Sequence, residues 1–216
     1  MRRIKHKKKW ILAGSLLAVL LVVTVIPTYS WLFSQSDPVV NTFAGGTIKI
    51  KLDEAKVDKD GKKLTGEEAE RVTANSYKYV AGAVLDKDPT VSVIKGSEEC
   101  YVFVCVENQL TDKFMIDLDT ESWIKVAADG EKTVYAYKEK VDAREAEDDV
   151  KLPAVFTTVA VSEDLTAEDV EALGEKKLNV TAYAVQTGSL KSDAAIDMAV
   201  LNFLGEGITA DHVEIK

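Results

Sequence analysis

Short apolar segments bounded by turn-forming residues run through most of the chain, and they constrain its fold more than any other feature. In one of them Ile48, Ile50 and Leu52 alternate with polar residues, which is the pattern of a half-buried strand. Asp129-Gly130 predicts a tight hairpin between two others. Strands are predicted at residues 47–52, 90–94, 99–107, 114–118, 123–127, 132–138, 155–161 and 178–186. Many short strands with few helices predict an all-β fold, an antiparallel β-sandwich.

Helices and charged stretches complete this prediction. Two helices are predicted, over residues 167–173 and 193–204. The first follows a capping pattern, and the second carries Ile196, Val200 and Phe203 at helical spacing, so that it packs one face onto the sheet as a closing helix. Residues 53–75 are interpreted as a charged insertion over the surface, and residues 141–150 as a solvated loop.

The N-terminus has the layout of an export signal. Six Lys and Arg residues precede Trp10, and an uncharged run of 17 residues extends from Trp10 to Ile26. Small residues at Thr28 and Ser30 predict cleavage before Trp31. An uncleaved membrane anchor is the alternative, and either form places the rest of the chain outside the cell. The predicted divisions are a signal or anchor helix at 1–30, a lead-in at 31–46 and one β-sandwich domain at 47–216.

The charge of the exported part limits the classes of molecule that are expected to bind it. Without residues 1–30 the chain keeps 21 Lys and Arg against 36 Asp and Glu, a net charge of −15. Nucleic acids and anionic membranes are themselves polyanions, so neither is expected as a partner. Contact with a membrane is expected only through the N-terminal segment.

The two cysteines are not expected to bond to each other. Cys100 and Cys105 lie in one predicted strand, where positions five apart face opposite sides and are roughly 16 Å apart. A disulfide needs Cα atoms within about 7 Å.

Several segments resemble a known family. They are Y-S-W-L-F at residues 29–33, N-T-F-A-G-G-T-I-K-I at 41–50, K-D-P-T-V-S-V at 87–93, E-C-Y-V-F-V at 99–104 and V-T-A-Y-A-V-Q at 180–186 before a closing helix. On these segments the chain resembles the TasA/camelysin family, whose members carry a signal processed by a SipW-type signal peptidase. One departure is that Ser34-Gln35 follows Phe33 where the family has Asp.

The resemblance implies a jelly-roll sandwich released by a Gram-positive-type cell, with a role in cell-surface or biofilm-matrix fibres. It implies a SipW-type peptidase as processing partner and self-association or related matrix proteins as later partners. In such fibres an N-terminal strand can complete a neighbour's sheet, and an unpaired strand edge is a template for another chain. The candidate assembly strand has the apolar residues Trp31, Leu32, Phe33, Val39, Val40 and Phe43, with Pro38 expected to end its first paired stretch. Folding back onto its own sheet is the alternative to insertion into a neighbour.

The chain has few residues that could form a catalytic or metal site. A zinc peptidase needs two His and a carboxylate, and the chain has only His6 and His212, so the camelysin-like metallopeptidase function is the weaker alternative. Asp58-Lys-Asp-Gly61 lacks the spacing of a calcium loop. Asp117, Asp119 and Glu121 are better interpreted as a solvated edge than as a cation site. No enzyme activity, metal or cofactor is expected. A monomeric surface-displayed binding module is the main alternative to a fibre subunit.

Overall fold

A computed structural model describes residues 33–36, 48–78, 80–173 and 177–216, with only the backbone of 33–36. Twelve strands lie within these residues: β1 (Phe33–Ser36), β2 (Ile50–Ala55), β3 (Arg71–Val72), β4 (Val84–Asp86), β5 (Thr90–Val93), β6 (Cys100–Asn108), β7 (Phe114–Leu118), β8 (Trp123–Asp129), β9 (Lys132–Tyr137), β10 (Val150–Lys151), β11 (Phe156–Val161) and β12 (Leu178–Gln186). The helices are α1 (Ala167–Leu173), α2 (Ser192–Leu204) and a 3-10 turn at Gly66–Glu68.

The strands form three antiparallel sheets. A five-stranded sheet has the order β1-β12-β6-β9-β8, a four-stranded sheet the order β10-β5-β2-β3, and a three-stranded sheet the order β4-β11-β7. The four- and three-stranded sheets are joined by backbone bonds, including Val155 N–H to the Pro89 carbonyl at 2.9 Å. Among the described residues the fold is therefore all-β with few helices, as the strand pattern predicted.

β6 is the centre of the five-stranded sheet and is covered on both faces. Its even-numbered residues, such as Val102 and Val104, belong to a core shared with the other two sheets. Tyr101, Phe103 and Cys105 belong to a second core that contains α2 and residues near the C-terminus. A strand buried on both faces reads as a continuous apolar run, which is why residues 100–106 show no polar alternation.

Helix α2 closes the outer face of the five-stranded sheet. Ala195, Ile196, Ala199, Val200 and Phe203 are its buried residues and recur three or four positions apart. The helix ends at Leu204 and is followed by Gly205, whose φ of 85° lies in the region that favours glycine. The prediction of a closing helix is confirmed, with a start one residue earlier than expected.

The structure corrects three details of the sequence prediction. β2 begins at Ile50 and continues through Asp53 and Glu54, both of which are buried. Residues 53–75 are thus not only a surface insertion, because they include the last three residues of β2 and all of β3. The stretch 141–150 is not fully solvated, because Ala143 is buried and Val150 begins β10.

The cysteines are free, as predicted, because the strand separates them. Cys100 lies in the core between the sheets and Cys105 in the core under α2. Burial, with Glu99 nearby, raises the pKa of Cys100 to about 12, and burial raises the pKa of Cys105 to about 11. Both thiols are therefore held in the protonated form, which is a poor nucleophile.

Candidate assembly site

The candidate assembly site is the outer edge of β12, where β1 pairs. β6 and β12 are in a register that bonds Gln109 N–H to the Lys177 carbonyl at 3.0 Å and Thr187 N–H to the Glu99 carbonyl at 2.9 Å. Backbone groups alternate in direction along a strand, so the odd-numbered residues of β12 bond to β6. The even-numbered residues from Leu178 to Gln186 therefore direct their N–H and C=O groups to the opposite edge.

β1 covers only part of that edge. It pairs antiparallel with β12 from Phe33, opposite Val185, to Ser36, opposite Ala182. By the alternation along β12, Ser34 and Ser36 are the β1 residues that exchange backbone bonds with it. The outward groups of Leu178 and Val180 lie beyond the pairing with β1. A nine-residue strand is thus matched by a four-residue strand, and its first half borders a groove.

This groove has a volume of about 420 Å³ and runs between β12 and β2. Its walls are residues 178–181 of β12, Glu107 of β6, residues 52–54 of β2, Thr73, Ala74, Asn75, Lys87 and Pro89. The lining mixes apolar side chains with amide and charged groups. Such a groove beside a strand edge fits an extended segment of polypeptide, which needs both main-chain partners and side-chain space.

A buried carboxylate fixes one wall of the groove. Glu54 is only 3% exposed, and its carboxylate forms an ion pair with the Lys87 ammonium. Its second oxygen accepts a hydrogen bond from the Asn75 side-chain amide at 3.0 Å. Asn75 also donates to the Ala55 carbonyl at 2.8 Å and accepts from Val57 N–H at 3.1 Å. A buried charge is tolerated only when it is paired in this way, so these groups hold the wall rigid.

An arginine holds the neighbouring segment in place. Arg71 donates to the carboxylates of Asp53 at 2.7 Å and Asp88 at 2.8 Å, and to the Asp53 carbonyl at 2.8 Å. Asp88 also accepts from Ala55 N–H at 2.6 Å. Sequence reasoning missed this network, since Arg71 lies 18 positions from Asp53 and 17 from Asp88, in a stretch interpreted as a charged insertion over the surface. No sequence signal marks the network, because the burial of Asp53 and Glu54 arises only in the assembled fold.

Most of the predicted export and assembly residues lie outside the described residues. These are Thr28, Ser30, Trp31, Leu32, Pro38, Val39, Val40 and Phe43, together with the apolar run 10–26. Phe33 is the first residue of β1. The cleavage before Trp31 and the role of these apolar residues as an assembly strand stay predictions.

The acidic candidates for a cation site have local structural roles. Asp58 accepts from the N–H groups of Asp60 and Lys62, both at 2.9 Å, which closes a turn. Asp119 accepts from the N–H groups of Glu121 and Ser122 at 3.0 and 3.1 Å. Within the described ranges no three His, Cys, Asp or Glu residues are grouped closely enough to hold a metal ion.

Asp117 stabilises an irregularity in β11. The register between β11 and β7 shifts between Phe156 and Val159, and Asp117 accepts from the N–H groups of Thr157 at 2.9 Å and Thr158 at 2.6 Å. Partial burial opposes ionisation of this carboxyl group, but the hydrogen bonds from both threonines outweigh it, so the pKa of Asp117 is lowered. Its carboxylate therefore stays charged and fixed in position.

His212 forms an exposed pair with a carboxylate of helix α2. Its Nε2 lies 2.8 Å from Asp197 Oδ1. The hydrogen bond to Asp197 is the main cause that raises the pKa of His212. His212 is thus an exposed residue with a specific partner.

Comparison with known proteins leaves the family open. No protein-family model matches the chain, and no curated protein or solved structure matches it. Across the described residues, no helix is both long and apolar enough to span a membrane. The resemblance to the TasA/camelysin family stays a prediction that rests on the segments quoted from the sequence.

Proposed function

We propose that the chain is an exported cell-surface or biofilm-matrix structural protein whose subunits associate by strand addition at the β12 edge. In this proposal the fold is a jelly-roll sandwich, and the precursor is cleaved by a SipW-type signal peptidase. The observation that carries the proposal is the short pairing of β1. It covers Ala182–Val185 of a strand that begins at Leu178.

The energetics of this pairing permit exchange between subunits. Two β1 residues, Ser34 and Ser36, exchange bonds with β12, and each backbone hydrogen bond contributes about 0.5–1.5 kcal/mol net. A strand from a neighbouring subunit forms the same bonds, so the two arrangements differ little in contact energy. A subunit's own strand is favoured by its high effective concentration. A neighbour's strand is favoured where many subunits are already held side by side in an assembly.

The direction of exchange determines the kind of assembly. A strand at one end of a subunit that enters the groove of the next forms a head-to-tail contact, and such contacts propagate into filaments. The acidic surface of the exported part keeps free subunits apart until strands pair. The function that follows is mechanical, because the subunit contributes length and cohesion to a surface layer or matrix.

Two proline variants test the role of β1. Ser34→Pro removes an N–H group that donates to β12, whereas Gln35→Pro removes one that points away from it. In protein purified as the cell exports it, we expect Ser34→Pro to abolish fibres seen by electron microscopy and Gln35→Pro to retain them. Fibres that persist in Ser34→Pro would exclude assembly through β1. If the unmodified protein forms no fibres at any concentration, the alternative of a surface-displayed binding module replaces that of a fibre subunit.

A further inference from the structure

Within the part of the chain that the structure describes, five of the six edge strands of the three sheets are short or covered. β3 and β10 have two residues each, and β1 has four. The outer edge of β4 is closed by the turn at residues 61–62, through Asp86 N–H to the Gly61 carbonyl at 2.7 Å and the Lys62 ammonium to the Val84 carbonyl at 2.6 Å. The edge of β8 is bonded at Val126, whose carbonyl accepts from Asp211 N–H at 2.7 Å. These are the usual ways in which proteins protect sheet edges.

β7 (Phe114–Leu118) is the exception. Ser162 N–H bonds to the Lys113 carbonyl at 2.8 Å, and Asp119 N–H bonds to the Val155 carbonyl at 2.9 Å. The backbone N–H and C=O groups of the odd-numbered residues therefore point to β11, and those of the even-numbered residues point away from it. The N–H and C=O groups of Ile116 point away from the sheet, and no described residue bonds to them. We call this side of the strand the β7 edge.

Apolar side chains line both faces of the β7 edge. Met115 is 64% exposed and lies in one row with Ala160 and with Val84, which is 44% exposed. Ile116 and Leu118 belong to the core between the sheets, but they are only partly buried. An edge whose inward residues are incompletely covered and whose outward residues are apolar has the composition of an interface.

Charges along the outer face of β7 are arranged with opposite signs at its two ends. Lys113 lies at one end, and Asp117 and Asp119 lie at the other, on the same face as Met115. Both carboxylates are fixed by backbone donors, those of Thr157 and Thr158 for Asp117 and those of Glu121 and Ser122 for Asp119. A strand with this order of charges is complementary to an antiparallel copy of itself.

We propose that the β7 edge binds the β7 edge of a second copy of this chain, antiparallel and about a two-fold axis at Ile116. Ile116 of each copy donates its N–H to the Ile116 carbonyl of the other, and the two three-stranded sheets become one sheet of six strands. In this register Lys113 faces Asp119 of the second copy, and Asp117 of the second copy lies diagonally beside it. Both ion pairs are repeated by the symmetry.

The register follows from three properties of the strand. Backbone direction requires even-numbered residues opposite even-numbered residues, and charge requires Lys113 opposite an aspartate; registers centred on Ile116 and on Met115 satisfy both. The register centred on Met115 would need the Phe114 N–H, which bonds to the Thr111 carbonyl at 3.1 Å, so the register centred on Ile116 is preferred. The contact is isologous and closes on itself, so it forms a dimer and not a fibre. It is also independent of the β12 edge, which uses other strands of other sheets.

Sedimentation equilibrium of the exported chain carrying Ser34→Pro tests the dimer without assembly through β1. A contact of this small size is weak, so the range is about 10 to 500 µM. We expect a reversible monomer–dimer equilibrium, which separates this contact from assembly through β1. Ile116→Pro added to the same chain removes the donor at the two-fold axis without removing a bond to β11, and it should leave only monomer.

A charge variant keeps the test independent of any effect of proline on folding. Lys113→Glu places like charges opposite each other and should weaken the dimer at least tenfold. Lys59→Glu makes the same change of charge in a remote turn, where Lys59 is 84% exposed, and should leave dimerisation unchanged. A chain that is monomeric throughout this range overturns the proposal, as does a dimer unaffected by both Ile116→Pro and Lys113→Glu.

Discussion

The two faces of the five-stranded sheet are buried in different ways. The inner face packs on strands drawn from most of the chain, from Ile50 in β2 to Val159 in β11. The outer face packs on one continuous segment, which runs from Ala195 in α2 to Ile215. The inner core therefore joins all three sheets, whereas the outer core attaches a single C-terminal cover to a sheet that is already formed.

This difference separates global stability from local opening. Loss of inner packing disconnects the sheets, so it should act on the whole fold. Loss of outer packing affects α2 and the segment after it, which can move without separating the sheets. Regions attached by one continuous segment open at lower free energy than the centre of a core.

The largest expected effect comes from truncating a ring in each core. Phe156→Ala should lower the free energy of unfolding by about 3–5 kcal/mol, because Phe156 is fully buried between the sheets. Phe203→Ala should cost about 3 kcal/mol, since Phe203 is 8% exposed and contacts the edge of the Tyr183 ring at a centroid distance of 5.9 Å. Urea unfolding measures both values.

Leu201→Ala is the matched control on the same helix, because Leu201 is 55% exposed. It should change the free energy of unfolding by less than about 0.5 kcal/mol. If Phe203→Ala proved as mild as Leu201→Ala, α2 would be peripheral to the fold. A cost larger than that of Phe156→Ala would reverse the comparison of the two cores.

Cysteine alkylation should show the same difference kinetically. Cys105 lies under α2 and Cys100 lies between the sheets, so local opening of α2 exposes only Cys105. In native protein Cys105 should react at least about tenfold faster than Cys100, and Phe203→Ala should increase only the rate of Cys105. Mass spectrometry of quenched samples gives both rates. Equal rates would mean that both thiols are exposed by the same global unfolding.

The smallest effect concerns the charge pair that links the C-terminal segment to α2. The pKa of His212 is raised by Asp197, with Asp193 and Asp211 adding to the effect. Its stabilising contribution is therefore complete below the ordinary histidine pKa of about 6.5 and is lost as the pH rises through the higher value in the folded chain. The melting temperature of His212→Gln should fall slightly below that of the unmodified chain at pH 5 and equal it at pH 9. A difference that grows with pH would contradict this sign.

Periodicity explains which parts of the fold could be predicted from sequence. β7 and β12 were predicted with their observed bounds, because each combines β-branched or aromatic residues with clear turn signals. β3, β4 and β10 have two or three residues, and their pairing depends on partners far away in sequence. Short segments of this kind have no period to detect.

The candidate site shows the same limit. An aromatic and apolar lead-in predicted an assembly strand, but the edge it pairs with depends on the register of β12 against β6. Register is a relation between two segments, so the sequence of either segment alone does not predict it. The ion pairs of Arg71 were missed for the same reason. Asp53 and Asp88 come within reach of Arg71 only when β2, β3 and β5 are assembled.

The central position of β6 has a consequence during synthesis. Its partner β9 follows within about 25 residues, whereas its other partner, β12, begins about 70 residues after β6 ends. At about 5–20 residues per second, the ribosome needs several seconds to make the missing strand. For that interval the nascent chain presents the apolar segment 100–106 with one side unpaired, so chaperone binding to this segment should protect the growing chain from aggregation.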